Sequence, residues 1–226
     1  MDSSFKPMLL LLTGLVLGLR HAFDRDHVAA VTHFISLEPD PLKSAWFGFQ
    51  WAVGHAVTVL LLGSAILLLH LKFDPSFERY AELAVGVTLI ALAVWRLALL
   101  LRERQHAHPH AHRVKEHIHP HSHQPGREHV HRFAPTLVGM VHGASGTVEL
   151  FVLIPITLMT TTWMAYLYIG LFSLGCAGTM SGYGYVVGRF YRRANETGQR
   201  IYRTLVVLTS ASGLVLGLVW ILKNLR

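Results

Sequence analysis

Apolar residues along this chain come in long unbroken stretches rather than in strict alternation, and the stretches predict helices that cross a lipid bilayer. Six emerge, at about 8–36, 44–71, 80–101, 134–160, 163–188 and 203–222. Each has to be helical, because hydrocarbon offers a backbone N–H or C=O no partner outside its own segment. Leu37–Leu42 (LEPDPL) and Phe73–Ser76 (FDPS) read as turns whose prolines end the preceding helices. The expected fold class is all-α, a polytopic membrane protein of about six transmembrane helices. Residues 8–19 have the length of a signal-peptide apolar region, but Arg20-His21 follows in place of a small-residue cleavage site, so a retained helix is expected.

One segment breaks the pattern. Between the third and fourth apolar stretches, residues 102–132 hold His106, His108, His110, His112, His117, His119, His121, His123, His129 and His131, with three prolines and few apolar side chains. Such a composition predicts a loop that is disordered without a ligand.

The basic residues in the gaps orient the chain. Lys6, Lys72, Arg79, Lys223 and Arg226 fall on one side. Lys43, Arg102, Arg104, Arg113, Lys115, Arg127, Arg132, Arg189, Arg192, Arg193, Arg200 and Arg203 fall on the other. Excess Lys and Arg mark the cytoplasmic face, which puts the His-rich loop inside the cell and both termini outside.

The two halves are also related. A shift of 121 residues, from 18 to 139, lays Gly18-Leu-Arg-His21 on Gly139-Met-Val-His142. The same shift lays Gly54-His-Ala-Val-Thr58 on Gly175-Cys-Ala-Gly-Thr179. Three helices per repeat is an odd number, so the second half is expected to be inverted in the membrane, as in secondary transporters with a substrate site near the midplane. The division expected is 1–101 as a first three-helix repeat, 102–132 as a cytoplasmic loop and 133–226 as a second repeat.

Composition narrows the class further. Hydrophobic residues make up 52% of the 226 and charged ones 15%, against about 25% charged in ordinary soluble domains. The formal charge of +7 sits in the gaps between apolar runs and accompanies no nucleic-acid-binding motif, so no nucleic-acid partner is expected. A single cysteine, Cys176, rules out an intramolecular disulfide.

Chemistry concentrates where charge is most expensive. Arg20-His21-Ala-Phe-Asp24-Arg25-Asp26-His27 lies inside the first apolar stretch, and groups of this kind in lipid face the protein interior and serve a task. On an ideal helix His21, Asp24 and His27 share a face, while Asp26 points elsewhere unless the helix breaks or Asp26 pairs with an arginine. Imidazole with carboxylate suits borderline divalent metals such as nickel, cobalt, zinc and iron(II). A purely structural network, with Arg20 and Arg25 neutralising the aspartates, would explain the charges but not the histidines.

His55, beside Gly54, is a second candidate ligand at the repeat position. Its counterpart Cys176 reads as a small packing residue before it reads as a soft ligand. In His142-Gly-Ala-Ser-Gly-Thr-Val-Glu149, a continuous helix would put His142, Ser145 and Glu149 on one face. Gly139, Gly143 and Gly146 read as sites of close helix approach, as do the pairs Gly178/Gly182, Gly184/Gly188 and Gly213/Gly217. The His-x-His strings of the loop suit buffering or sensing of cytoplasmic divalent metal.

The signature His21-x4-Asp26-His27 within RHAFDRDHVAAV resembles that of the nickel/cobalt transporter family, including its relatives named as urease accessory membrane proteins. Gly54-His55 is similar to that family's second motif and Val141–Glu149 to a later one. Arg25 departs from it, standing where many members carry a small residue. The resemblance implies that the first-motif histidines and aspartates bind the metal in transit.

These readings together predict a permease of the cytoplasmic (inner) membrane and not an enzyme. Its cargo would be a divalent transition metal, nickel or cobalt. The metal residues expected are His21, Asp24, Asp26, His27, His55, His142 and Glu149. The partners expected are the metal ion, the lipid bilayer and, as a further candidate, a cytoplasmic metallochaperone. No resident cofactor is expected, and the absence of a phosphate-binding P-loop leaves ion gradients or membrane potential to supply energy. The alternatives are an exporter of the same metals, a metal sensor, and a membrane metalloenzyme, which would need the closely spaced His boxes this chain lacks.

Overall fold

The computed structural model describes residues 5–71, 74–102, 109–112, 115–118, 133–145, 152, 154–157, 159 and 161–225. Among these residues the helices are α1 (Phe5–His21), α2 (Arg25–Ile35), α3 (Pro41–Leu69), α4 (Pro75–Arg102), α5 (Ala134–His142), α6 (Ile154–Thr157), α7 (Thr162–Thr197) and α8 (Gln199–Leu225). A short antiparallel hairpin, β1 (Pro109–His112) with β2 (Lys115–Ile118), lies between α4 and α5. Apart from this short hairpin within the His-rich loop, the elements of the described residues are helices, as the all-α fold class expects.

Among the described residues, four helices are long and apolar enough to cross a bilayer: Pro41–Leu69, Ser76–Arg102, Thr162–Thr197 and Gln199–Leu225. At 27 to 36 residues each exceeds the roughly 20 that a hydrocarbon core requires. Their outer faces expose Leu61, Leu68, Val87, Leu174, Val186 and Val215, a surface suited to lipid and not to water. Charge is turned the other way: His21, Asp26, His27, His33, His55, Arg96 and His142 are all buried. This polar-inside, apolar-outside arrangement is that of a multi-pass membrane protein.

The first and fourth apolar stretches are not single helices. α1 stops at His21, and α2 starts again after Asp24, whose backbone is extended (φ −60°, ψ 144°). Aspartate favours this position because its short carboxylate competes with the helical backbone. α5 stops at His142, where Gly143 serves as C-cap and Ser145 Oγ donates to the His142 carbonyl at 2.8 Å. Gly143 is a poor helix former, and Ser145 turns its N–H and hydroxyl back to the His142 carbonyl, so the continuous helix expected through Ser145 does not form.

The prolines, too, act differently from expectation. Pro41 and Pro75 open α3 and α4 instead of closing the helices before them. At the first helical position a missing N–H costs nothing. Asp40 caps α3 by accepting from Leu42 N and Lys43 N at 3.1 and 3.0 Å.

Close packing explains most of the glycines. A Cβ on Gly18 would overlap the Phe172 backbone, and one on Gly139 the Trp51 backbone. A Cβ on Gly54 would overlap the Thr136 carbonyl, and one on Gly175 the Leu15 carbonyl. Each approach maps onto its partner at the shift that relates the two halves, 18 to 139 with 51 to 172, and 54 to 175 with 15 to 136. Gly184 and Gly188 meet Ser44, Gly213 meets His33, and Gly217 meets Gly86. Gly178 and Gly182 correct the sequence reading: open space surrounds both.

Candidate metal centre

The two helix breaks build the site. Where α1 ends, the His21 carbonyl accepts the backbone N–H of Asp24 at 2.9 Å and has a second lone pair to offer. His27 Nδ1–H, one residue pair into α2, donates to it at 3.1 Å. That bond leaves Nε2 of His27 with its lone pair, buried and without a hydrogen-bond partner. His142 is built the same way, with Nδ1–H donating to the Val138 carbonyl at 2.8 Å and a buried Nε2 left over. Fixing one ring nitrogen in this manner aims the other as a ligand.

His21 Nδ1 lies 2.9 Å from the Asp24 carboxylate, the carboxylate–imidazole pairing that raises a ligand's basicity. Its Nε2 approaches Nε2 of His55, on α3, at 3.2 Å. Ligand atoms of His21, His27 and His55 lie within 4.8 Å of one another. A metal with M–N bonds of about 2.1 Å needs donor atoms roughly 3 to 4 Å apart, so a small inward shift would complete a three-imidazole set. Asp26 Oδ2 sits 3.4 Å from His27 Nε2 and 4.0 Å from His142 Nε2. It is the one carboxylate that touches motif histidines from both halves among the described residues.

The break also settles the direction of Asp26. An unbroken helix turns it away from His21, whereas here α2 starts a new axis and Asp26 joins the histidines. Asp24 is less enclosed, with 32% of its side chain exposed. Cys176 is buried among Ala22, Val31, Ile35, Trp51 and Ala52, which is the packing role. Ser145 is buried against His142, and Glu149 lies outside the described residues.

Electrostatics at the centre favour a cation. α1 and α5 both end there, and each helix C-terminus carries partial negative charge. The N-terminal end of α2 carries the opposite sign and is offset by Asp24 and by Asp26 in its first turn. Two aromatic rings pack against the histidines. Trp51 lies 4.6 Å from the His27 ring and 5.3 Å from that of His55, and Phe172 lies 5.2 Å from that of His21. Trp51 and Phe172 are 121 apart, the repeat offset, which was the signal that sequence reasoning passed over.

Sequence reasoning also missed Arg96. It is buried in α4 and donates from Nε to Ser36 Oγ and from a terminal nitrogen to the Ser36 carbonyl, each at 3.0 Å. Tyr202 of α8 donates to the same carbonyl at 2.6 Å. The C-terminal end of α2, the helix carrying Asp26 and His27, is thereby held from two sides.

Comparison with known proteins gives a consistent picture. The family described as "Cytochrome C biogenesis protein transmembrane region" matches residues 8–212. The urease accessory protein UreH of Bacillus sp. (strain TB-90) is 27% identical over 210 residues, covering 92% of this chain and 89% of its own length. It is a relative of the urease-accessory kind that RHAFDRDHVAAV resembles, so the likeness read from the motifs holds. No solved structure matches.

Proposed function

The chain belongs to the cytochrome c biogenesis protein transmembrane-region family, and from that premise we propose that it is a secondary transporter of a divalent transition-metal cation, nickel or cobalt, in the cytoplasmic membrane. The observation that carries this reading is the buried His21/His27/His55 group, extended by Asp26 toward His142, at the ends of two broken helices. Burying four imidazoles and a carboxylate inside a membrane protein is costly unless the set binds something. A dithiol redox role is outside the reach of a chain whose single cysteine is a packing residue.

In this reading the cation loses water as it enters the imidazole set. Neutral histidines supply lone pairs, and Asp26 supplies a compensating negative charge. Asp26 then offers a path between the first-motif ligands and His142 in the other half. The helix approaches that recur at the repeat offset support two inverted three-helix units, 1–101 and 133–226, moving against one another. Residue 149 would serve the same path from the second half. The His-rich loop would lie in the cytoplasm and hand metal to or from the carrier, with a metallochaperone as its partner.

The deciding experiment is Ni²⁺ and Co²⁺ flux in proteoliposomes of known orientation. Saturable flux is expected, faster from one side, and its direction separates importer from exporter. Binding without flux would leave a sensor, and neither binding nor flux would remove the proposal. The orientation has its own check, after replacement of Cys176. A cysteine at Ser3 should react with impermeant thiol reagents in intact cells, and one at Gln124 should not. The reverse labelling would overturn the topology.

A further inference from the structure

His33 is a buried imidazole that the metal centre leaves unused. It lies in α2 and is built as His142 is. Its Nδ1–H donates to the Ala29 carbonyl one turn back at 2.7 Å. Nε2 therefore keeps its lone pair, buried and without a hydrogen-bond partner. The ring edge lies directly on the backbone of α8, where a Cβ added to Gly213 would stand 2.9 Å from Nε2. Ser210, one turn earlier on α8, carries a second buried polar atom without a partner, its hydroxyl.

The surroundings of this nitrogen decide what it can hold. α4 brings Ala93 and the buried Arg96, whose Nε donates to Ser36 Oγ, and that hydroxyl in turn donates to the His33 carbonyl. Tyr202 of α8 bonds Arg96, and Tyr183 of α7 bonds the neighbouring Thr32. α3 and α5 bring the apolar Phe47 and Val138 to this packing. On α2 itself the acidic neighbour is Asp26, seven residues back and so on the same face. One imidazole and one hydroxyl are too few donors for a divalent transition ion, which takes about four or more. A proton needs a single lone pair. A hydroxyl suits both forms of the ring, since it donates to a bare Nε2 and accepts from Nε2–H.

We propose that Nε2 of His33, with the Ser210 hydroxyl beside it, is a proton-binding site whose proton is exchanged for the metal. The exchange across the membrane rests on the transport reading above; the site itself does not. Seven residues of α2 rise about 10 Å, so a divalent ion at Asp26 and a proton at His33 repel one another across a low-dielectric interior. Arrival of the metal releases the proton from Nε2 to water, and departure of the metal lets one return. One net positive charge moves with each metal ion, so membrane potential adds to the drive.

Proton release is counted first on the purified full-length chain in detergent. Heats of Ni²⁺ binding at about pH 6, in the ordinary imidazole range, are compared in two buffers of different ionisation enthalpy. His33→Asn keeps an N–H for the Ala29 carbonyl but cannot titrate, and its Ni²⁺ stoichiometry should be unchanged. It should release about one proton fewer than the unaltered chain. All other histidines are the same in both proteins, so the difference belongs to His33. His33→Gln serves in its place where the asparagine protein does not insert. In proteoliposomes, Ni²⁺ entry should make the lumen more alkaline, as read by trapped pyranine, and the variant should move Ni²⁺ with that signal lost. Equal proton release by the two proteins overturns the site, and a pyranine signal that survives in the variant overturns the exchange. If the unaltered chain moves no Ni²⁺, the transport reading falls, while the count in detergent still decides whether His33 gives up a proton to metal.

Discussion

Replacing His27 with alanine should reduce Ni²⁺ flux by about 100-fold or more while the protein remains inserted at normal levels. Removing an outer-shell partner of a metal ligand already costs about 10- to 100-fold, and the proposed function makes His27 a ligand itself. Its Nδ1 is committed to the His21 carbonyl, its Nε2 is buried without a hydrogen-bond partner, and Asp26 stands 3.4 Å away. His21→Ala and Asp26→Ala should behave alike, because each removes a member of the same small cluster. Asp26→Asn is the more informative change. It preserves shape but removes the charge that touches His27 and His142, and flux should fall nearly as far. Uptake measured in proteoliposomes, normalised to inserted protein, decides the matter. Wild-type flux from a normally inserted His27→Ala protein would sink the assignment of this centre.

Gly139→Ala should destabilise the protein strongly, whereas Gly178→Ala should be neutral or mildly stabilising. A Cβ at Gly139 meets the Trp51 carbonyl and the backbone nitrogen of His55. Backbone atoms inside α3 cannot swing aside as a side-chain tip can, so α5 has to move. Overpacking of this kind costs about 1–3 kcal/mol and more where backbone is struck. The shift would carry His142 and Asp26 out of register as well, so Ni²⁺ binding should weaken together with thermal stability. Gly178 has nothing within 4 Å, and alanine in an open helix position gains up to about 1 kcal/mol over glycine. Thermal unfolding in detergent, with and without Ni²⁺, reads both effects. Equal stability in the two variants would mean that the α3–α5 approach is looser than the structure has it.

The difference between these two glycines also marks the boundary between sequence and structure. Gly139 and Gly178 look alike in the sequence, each in an apolar run with a second glycine four residues on. Only the packing of α5 against α3 separates a glycine that is required from one that is merely present.

Much was determined by the sequence alone. Apolar runs of membrane length with buried charge demand helices in lipid, because an unpaired backbone group there is too costly. The motif His21-x4-Asp26-His27, with His55 and His142, named the residues that converge, since ionisable groups in such runs have nowhere to go but inward. The shift from 18 to 139 also anticipated which helix approaches recur. What the sequence left open was direction. Periodicity assumes a continuous helix, and on that assumption Asp26 faced away and Ser145 lay on the face of His142. The tertiary structure broke both helices just after the motif histidines. At Asp24 the chain turns extended, and the His21 carbonyl at the helix end accepts both the Asp24 N–H and the His27 ring N–H. At Gly143 it turns again, and Ser145 closes on the His142 carbonyl. Arg96 was invisible for a related reason: it acts across helices distant in sequence, and only packing shows what a buried cation holds.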